Sequence, residues 1–237
     1  MKINYNAFES EHLGIKSGNI LLSPLELDQL NHSLLCDLIS IASREKYNLV
    51  SLRVPENYTK LLGDIEKTQF QYVEKLITFS KNISESSVID SNVKVAASSY
   101  LEEIGKLGRE AFTFDRFHAD QSIDNARADK LKEAWAMNCL KYRADPVLIY
   151  QGKGVEAFSG CVAKNKNVSI DLIAVSKKFR GRGVGRALLS SCEGYFSKTH
   201  NTIQASTQST NLSSIALYKS CSFKLISKQI TFHLVMK

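Results

Sequence analysis

The pattern of apolar and polar positions in residues 1–82 predicts a small α/β domain. In Pro24–Ile41, leucine and isoleucine recur every three or four positions, which is typical of an amphipathic helix with proline at its favoured first position. Tyr47–Val54 and Phe70–Phe79 are rich in residues that favour strands, and Asn57–Gln69 predicts a second helix between them. Tyr5–Leu22 has scattered apolar residues and predicts an extended or hairpin-like segment.

A polar segment separates this region from the rest of the chain. Lys81–Asn92 (KNISESSVIDSN) is rich in serine and asparagine, which is typical of a linker. We therefore expect one domain over residues 1–82 and a second over residues 93–237, both of the α/β (α+β) class. The elements expected in the second domain are a strand and helix over Val93–Leu107, a helix over Ser122–Leu140, strands over Pro146–Tyr150 and Val155–Ala163, a strand ending at Val175, a helix after Gly183, a strand over Thr202–Thr207, a helix over Asn211–Cys221 and strands over Phe223–Val235.

The most informative stretch is Ser169–Cys192 (SIDLIAVSKKFRGRGVGRALLSSC). A short apolar run predicts a buried strand, a glycine-rich turn follows, and apolar residues then recur at helical spacing. A glycine loop that opens a helix directs several backbone N–H groups at one point, where the helix dipole adds positive charge. The loop therefore predicts a phosphate or pyrophosphate site, built from Arg180, Gly181, Arg182, Gly183, Gly185 and Arg186.

Two familiar phosphate loops do not match this stretch. A P-loop needs lysine and then serine or threonine after its last glycine, but Arg186 and Ala187 stand there. The dinucleotide fingerprint needs glycines at its first, third and sixth positions, and here the third glycine comes one position too early.

The pattern Arg180-x-x-Gly183-x-Gly185, after a strand ending in Leu-Ile-Ala-Val, resembles the acetyl-CoA pyrophosphate loop of the GNAT superfamily of acetyltransferases. The resemblance implies a mixed, largely antiparallel sheet flanked by helices, with pantetheine beside a central strand that splays from its neighbour. A glycine turn without a ligand is the alternative. The resemblance assigns acetyl-CoA binding to Ile173, Ala174, Val175, Arg180, Gly181, Arg182, Gly183, Val184, Gly185, Arg186 and Asn211.

A second constellation lies in Thr207–Phe223 (TQSTNLSSIALYKSCSF). Asn211 and Tyr218 are close to two helical turns apart, so both side chains can reach one side. The segment resembles a late GNAT motif, although Ser214 and Ser222 replace its usual alanine and glycine. The resemblance implies that the asparagine binds the pantetheine arm and that the tyrosine protonates the departing CoA thiolate. The alternatives are a helix N-cap and a half-buried tyrosine whose hydroxyl contacts water.

The resemblance also implies direct attack by a neutral amine on the acetyl thioester, with a backbone N–H near Val175 stabilising the oxyanion. A base must accept the amine proton. Asp171 is our candidate, because strand alternation places it on one face with Ile173 and Val175. A solvated or paired carboxylate is the alternative role, and His118 and Asp120 are weaker candidates for the base.

The acceptor is suggested by Ala111–Ile123 (AFTFDRFHADQSI), a segment crowded with aromatic and charged residues. It is a candidate acceptor-binding segment or, alternatively, a packed connection. Its FxxxRFHxD pattern, with Phe8–Gly14 (FESEHLG), resembles the nucleotide-sugar acetyltransferases that include dTDP-fucosamine acetyltransferase. This implies N-acetylation of a dTDP-4-amino-4,6-dideoxyhexose for a surface polysaccharide. The candidate substrate-binding residues are Phe114, Arg116, Phe117 and His118.

Two other functions stay open, namely acetylation of a protein, peptide or other small amine, and a non-catalytic CoA-binding regulatory module. The net charge of +7 suits anionic small ligands such as CoA, and the dispersion of the basic residues argues against nucleic-acid binding. The five cysteines are dispersed and lack metal-ligand spacing, so we expect no metal site.

The chain has no run of 18 apolar residues and no apolar signal core at its start, so we expect a cytoplasmic protein without a membrane span. Formation of a homodimer is left open.

Overall fold

The structure, a computed structural model, describes residues 1–236. Strands and helices follow one another along this range, singly or in runs of two or three of one type. Their bounds are β1 (Ile3–Tyr5), α1 (Ala7–Leu13), β2 (Ser17–Ile20), α2 (Pro24–Gln29), α3 (His32–Arg44), β3 (Leu49–Pro55), α4 (Thr59–Ile65), β4 (Gln71–Asn82), β5 (Val93–Val95), α5 (Leu101–Ala111), α6 (Arg116–Ala119), α7 (Asn125–Asn138), β6 (Val147–Gln151), β7 (Val155–Lys164), β8 (Asn167–Val175), α8 (Val184–Phe196), β9 (Thr202–Gln208), α9 (Leu212–Ser220) and β10 (Lys224–Val235).

The chain forms two compact units. Unit 1 contains Met1–Leu76, Phe114–Ala128 and the residues from Ser227 onward, and unit 2 contains Ile77–Thr113 and Asp129–Ile226. The predicted domain division between residues 82 and 93 stays a prediction. The units themselves are assembled from segments that are distant in the chain, and residues 114–128 belong with the N-terminal residues.

Two predictions for the N-terminal region are wrong. Residues 5–22 are not extended throughout, because the Asn6 side chain accepts a hydrogen bond from the Glu9 N–H and caps α1, and Gly14 (φ +66°) ends it. The single helix predicted from Pro24 is two helices, because Leu30 is extended and Asn31 caps α3.

The sheet of unit 1 has an apolar face that packs against α3. Strands β1 and β2 pair antiparallel, β2 and β3 parallel, and β3 and β10 antiparallel. Val50, Leu52 and Phe232 lie in one buried cluster with Leu35 and Leu38 of α3. The burial of these side chains supplies much of the driving force for folding this unit.

Unit 2 contains a mixed and mostly antiparallel sheet between helices. Strands β5 to β8 form consecutive antiparallel pairs, and β8 pairs parallel with β9. One face packs Ala157 and Cys161 against Leu188 of α8, and the other packs Phe158 against Ile104 of α5. This arrangement confirms the fold class that was predicted for the second domain.

None of the helices within residues 1–236 combines the length and the apolar composition that crossing a bilayer requires.

Candidate functional site

Strand β8 separates from β9 half-way along its length. The two strands pair from Asn167 to Ile170, opposite Thr202–Ala205, and within the described chain the pairing stops there although β8 continues to Val175. On its other edge β8 stays paired with β7 as far as Val175. The free edge therefore presents backbone N–H and C=O groups that a ligand can bind. This is the splayed central strand that we expected.

A β-bulge lies where the strands separate. Gly160 of β7 pairs with Leu172, but the next residue, Cys161, pairs with Ile170. Asp171 is therefore an extra residue in β8, and such a bulge bends the strand and re-aims its side chains.

The bulge overturns the predicted position of Asp171. Ile173 and Val175 pack in the cluster on the α8 side, whereas Asp171 accepts hydrogen bonds from Arg143 Nε at 3.0 Å and Nη2 at 2.6 Å. The expectation that Asp171 shares their face is wrong, because the extra residue breaks the alternation. The hydrogen bond to the carboxylate raises the pKa of Arg143, so the guanidinium stays charged. The pairing of Arg143 with Asp171 was not predicted, because Arg143 lies in no recognisable sequence motif.

The glycine loop after β8 is open to an incoming ligand. Gly181 and Gly183 have φ values of +74° and +81°, and a Cβ atom on either would have no heavy atom within 4 Å. No side chain caps α8, and the first hydrogen bond to the carbonyl of Gly183 comes from the N–H of Ala187. The N–H groups of residues 184–186 thus lack acceptors within the helix, which makes this end an anion site.

The three arginines of the loop are all exposed, and two of them also hold the local structure. Arg180 Nε donates to the carbonyl of Val175 at 3.0 Å. Arg186 donates to the carbonyl oxygen and the hydroxyl of Ser220 at 3.2 and 3.1 Å, which ties α8 to the end of α9. Arg182 completes a positively charged rim around the open backbone.

Asn211 caps α9 and keeps its amide N–H groups available. Its Oδ1 accepts hydrogen bonds from the Ser214 N–H at 3.2 Å and from the Ser213 hydroxyl at 2.9 Å. The N-cap interpretation is therefore correct for the oxygen. Within residues 1–236, Nδ2 makes no hydrogen bond, so it can donate to a ligand carbonyl.

Tyr218 is buried among aromatic side chains. Its side chain is 2% exposed, and its ring centroid lies 5.7 Å from that of Phe79 and 5.8 Å from that of Phe223. The alternative of a half-buried tyrosine is wrong. Burial, with a smaller contribution from Cys192, raises the pKa of Tyr218 well above its ordinary value. The phenol thus keeps its proton at physiological pH, as an acid must before it reacts.

The candidate substrate-binding residues lie in unit 1, at α6. Asp115 caps this helix by accepting a hydrogen bond from the Phe117 N–H at 2.9 Å, and it also binds His118 Nδ1 at 2.6 Å. The ring of Phe117 is buried, whereas Phe114 is 44% exposed. Arg116 forms a buried ion pair with Glu9. The interpretation as a packed connection holds for Phe117 and Asp115, whereas acceptor binding by this segment stays a prediction.

A cavity of about 430 Å³ lies beside the end of β8, within unit 2. Its volume falls in the range of sites for small molecules. Its lining residues come from α5 and from the turn that leads into the glycine loop, namely Leu107, Glu110, Ala111, Ser176, Lys177, Lys178 and Arg180. Within residues 1–236, no group of histidine, cysteine, aspartate or glutamate side chains could hold a metal ion.

Comparison with known families identifies the kind of domain that contains the glycine loop, the splayed strand β8 and Tyr218. Residues 112–223 match the model of the acetyltransferase (GNAT) family. They form a GNAT acetyltransferase domain. GNAT acetyltransferases are acyltransferases that use acetyl-CoA, so the predicted family, enzyme class and co-substrate are confirmed for this domain.

A curated relative of this chain is the spore coat polysaccharide biosynthesis protein SpsD of Bacillus subtilis (strain 168). It is 27% identical over 135 residues, which cover 56% of this chain and 47% of SpsD. The chain thus spans about half the length of the curated relative that it matches.

Solved GNAT structures share the fold. A GCN5-related N-acetyltransferase from Sphaerobacter thermophilus superposes with a TM-score of 0.64 at 12% identity, covering 98% of this chain and 74% of its own. A tandem GNAT protein from the clavulanic acid biosynthesis pathway gives 0.61 at 9% identity, with coverages of 92% and 74%. A GCN5-related N-acetyltransferase from Kribbella flavida gives 0.58 at 10% identity, with coverages of 92% and 80%.

The residues of the GNAT domain fit acetyl-CoA. The open backbone at Gly181 and Gly183 can approach a pyrophosphate without side-chain interference, and the exposed arginines supply the opposite charge. The free edge of β8 offers backbone groups to the amides of pantetheine, as does Nδ2 of Asn211.

Proposed function

We propose that the protein transfers the acetyl group of acetyl-CoA to the primary amine of a dTDP-amino-dideoxy sugar, in the cytoplasm, for synthesis of a surface polysaccharide. The observation that carries the acceptor class is the similarity to SpsD, whose name places that protein in spore coat polysaccharide biosynthesis. The net charge of +7 supports the proposal, since it favours encounter with two anionic substrates.

The reaction begins when the neutral amine attacks the carbonyl carbon of the thioester. A C–N bond forms, and the carbonyl oxygen of the tetrahedral intermediate carries negative charge. A backbone N–H on the free edge of β8, near Val175, stabilises this oxyanion. The C–S bond then breaks, and the CoA thiolate takes a proton from the phenol of Tyr218.

Acetyl-CoA is held by the start of α8, by the arginines of the glycine loop and by Asn211. The N–H groups at the start of α8 bind the pyrophosphate, and Arg180, Arg182 and Arg186 neutralise its charge. Nδ2 of Asn211 donates to a carbonyl of the pantetheine arm.

Asp171 is the proposed acceptor of the amine proton, through water. Its bidentate contact with Arg143 fixes the carboxylate at the point where β8 and β9 separate.

A substrate screen tests the proposal. The protein is incubated with acetyl-CoA and a panel of dTDP-linked 4-amino-4,6-dideoxyhexoses, amino hexoses, peptides and polyamines. We expect release of free CoA thiol and a product one acetyl group heavier with the dTDP-amino sugars. Turnover of peptides alone would overturn the acceptor class, and acetyl-CoA binding without turnover of any amine would overturn the enzymatic function.

A further inference from the structure

The turn that follows β8 sends its side chains to different surroundings within unit 2. This turn, Lys177–Phe179, is a single turn of 3₁₀-helix in which the Phe179 N–H donates to the Ser176 carbonyl at 2.9 Å. Phe179 packs against the buried cluster on the α8 side of the sheet. Lys177 and Lys178 instead line the cavity of about 430 Å³ that lies against α5. The turn is therefore anchored by its aromatic ring, and its two lysines lie at a concave surface.

The cavity lies on the face of the sheet that α5 covers. Leu107 of α5 belongs to the buried cluster that contains Leu172 and Ala174 of β8, and it also forms part of the cavity wall. Helix α8 packs against the opposite face through Leu188. The cavity is therefore a different surface from the N–H groups at the start of α8, and Arg180 is the residue that it shares with the glycine loop.

The charged groups that line the cavity are mostly positive. Lys177, Lys178 and Arg180 are exposed cations, and Glu110 of α5 is the carboxylate among the lining residues. The lining thus has an excess of two positive charges. Within residues 1–236, the side chains of the two lysines and of Glu110 make no hydrogen bond or ion pair. Like charges at one cavity repel each other, and an anionic ligand would relieve that repulsion.

The charge and the composition of the lining match the diphosphate of a nucleotide sugar. A diphosphate that is esterified at both ends carries two negative charges, which equals the excess positive charge of the lining. Lysine binds a phosphate as a point charge with three N–H donors. Leu107 and Ala111 form an apolar wall, which suits the carbon atoms of a sugar or a base better than it suits a bare inorganic ion.

The proposed reaction needs separate sites for two anionic substrates, because both must be bound when the amine attacks the thioester. The start of α8, with Arg182 and Arg186, is assigned to the pyrophosphate of acetyl-CoA. The acceptor has to bring its amine to the free edge of β8, so its diphosphate must lie near this strand. The cavity meets this requirement, since it is lined by the turn directly after β8.

We propose that this cavity binds the diphosphate of the acceptor, with Lys177 and Lys178 as the groups that neutralise its charge. The inference rests on the proposed function, under which the acceptor is a dTDP-amino sugar. Arg180 lies between the two substrate sites, and the carboxylate of Glu110 is an acceptor for a hydroxyl group of the same ligand.

Calorimetric titration of the full-length protein tests the inference. The variant carries both Lys177→Ala and Lys178→Ala, and it should fold as stably as the wild type because both side chains are exposed. A dTDP-4-amino-4,6-dideoxyhexose is titrated with CoA present, so that no acetyl group is transferred. The Kd of the sugar nucleotide should rise by about tenfold or more, as loss of two charge-assisted contacts does. The Kd of acetyl-CoA should not change.

A matched control removes the same charge elsewhere in unit 2. Lys164 is exposed at the end of β7 that pairs with Asn167, and Lys198 is exposed after the last turn of α8. The variant with Lys164→Ala and Lys198→Ala should bind both substrates as the wild type does. Added salt should weaken sugar-nucleotide binding more in the wild type and in this control than in the cavity variant, because salt screens exposed charges.

The outcomes separate this inference from the proposed function. If the wild type acetylates the sugar nucleotide and the cavity variant binds it equally well, the inference is overturned and the proposed function stands. A third probe, 3′-dephospho-acetyl-CoA, tests the other source of phosphate. If the cavity variant binds acetyl-CoA more weakly but binds the 3′-dephospho form normally, the lysines contact the 3′-phosphate of CoA and the inference is overturned.

If the wild type ignores every dTDP-amino sugar, the proposed function fails. Inorganic pyrophosphate is then titrated with CoA present, so that the site at the start of α8 is filled. Binding that the cavity variant loses and the control keeps would support a diphosphate site in the cavity. Equal binding, or none, in the wild type and the cavity variant would overturn the inference as well.

Discussion

Burial holds Tyr218, the proposed acid, in a fixed position. Its ring is fixed between Phe79 and Phe223, and the apolar surroundings disfavour the phenolate. A phenol in water has a pKa near 10, so it already holds its proton at neutral pH. Burial therefore adds a fixed position for the hydroxyl rather than a change in protonation state.

Replacing Tyr218 with phenylalanine should abolish most turnover and leave acetyl-CoA binding intact. The ring and its packing remain, while the proton donor is lost, so kcat should fall by about 100-fold or more. The comparison is Tyr195→Phe on α8, where the tyrosine is 43% exposed, and this variant should keep wild-type kcat. Steady-state rates and calorimetric titration of acetyl-CoA give both quantities. A Tyr218→Phe enzyme with normal kcat would remove the tyrosine from the mechanism.

The Asp120–His233 pair should make unit 1 sensitive to acid. Burial lowers the pKa of His233 below its ordinary 6.5. Burial opposes ionisation of Asp120, but hydrogen bonds from His233 and Ser122 outweigh it and lower the pKa of the carboxyl from 3.8 to about 2. Around each of these two pKa values the unfolded chain binds more protons than the folded chain, because both pKa values are lower in the folded state. The free energy of unfolding therefore falls as the pH falls.

Urea unfolding followed by circular dichroism should show two losses of stability. The first begins as the pH falls below about 6.5, and the second begins below about 4. Asp120→Asn keeps an acceptor for His233 but loses the charge, which should lower stability at pH 7 by about 1–3 kcal/mol. It should also reduce the second loss, to which Glu26 and Glu56 contribute as well because their pKa values are lowered too. An unchanged curve below pH 4 in this variant would show that Asp120 is not responsible.

The glycine loop and the start of α8 act together as one element. The left-handed conformation of Gly183 turns the chain so that the first N–H groups of the helix face the open side of the loop. Gly185 has a different role, since a Cβ there would lie 3.0 Å from Leu217 of α9. One glycine of the motif thus serves the backbone conformation and another serves the packing of two helices.

Gly183→Ala should weaken acetyl-CoA binding without a steric clash. A Cβ at this position meets nothing within 4 Å, but the φ of +81° costs an alanine about 1–2 kcal/mol. Relaxation of that strain re-aims the N–H groups, so we expect the Kd of acetyl-CoA to rise by about five- to tenfold. Thermal unfolding and calorimetric titration measure the two effects.

Gly63→Ala is the matched control. Gly63 lies inside α4, and a Cβ there also meets nothing within 4 Å. This variant should gain about 0.5–1 kcal/mol of stability, because alanine favours the helix, and should leave the Kd unchanged. Equal Kd values for the two glycine variants would argue against a role of the loop backbone in binding.

Local patterns predict the elements of unit 2 and a candidate CoA site, because the glycine loop, Asn211 and Tyr218 each lie at fixed spacing within or beside one helix. The bulge at Asp171 could not be predicted, since its cause is the register with β7 and not a residue type. The helix α1 was missed because Asn6 and Gly14, which bound it, also fit a turn.

The side of β3 and β10 that carries Ser51, Thr231 and His233 is buried, which could not be predicted for a reason that concerns the whole molecule. Ser51 and Arg53 alternate with Val50, Leu52 and Val54, which is the pattern of a strand with one solvated face. Only the long-range placement of α1 and of residues 115–120 buries that face. A sequence pattern reports which face is polar, and the tertiary structure decides whether it meets water.

The sheet of unit 1 pairs a strand from the N-terminal region with a strand from the C-terminal region. Leu49–Pro55 of β3 pairs along its full length with Gln229–Val235 of β10, which is the last strand of the chain. Phe232 and Leu234 of β10 also belong to the apolar cluster on α3. Unit 1 therefore cannot complete its sheet or its core until the C-terminal residues are present.

A fragment of residues 1–82, which is the first domain predicted from the sequence, should accordingly fail to fold stably. Without β10, one side of β3 has no partner strand along its whole length. An edge strand that is so rich in apolar residues favours aggregation. In the intact chain, Leu234→Ala should cost about 2–5 kcal/mol, since this leucine is 0% exposed. Limited proteolysis and circular dichroism of the fragment provide the test. Cooperative unfolding of the isolated fragment would show that its remaining strands and helices suffice, and that β10 adds to a domain that is already stable.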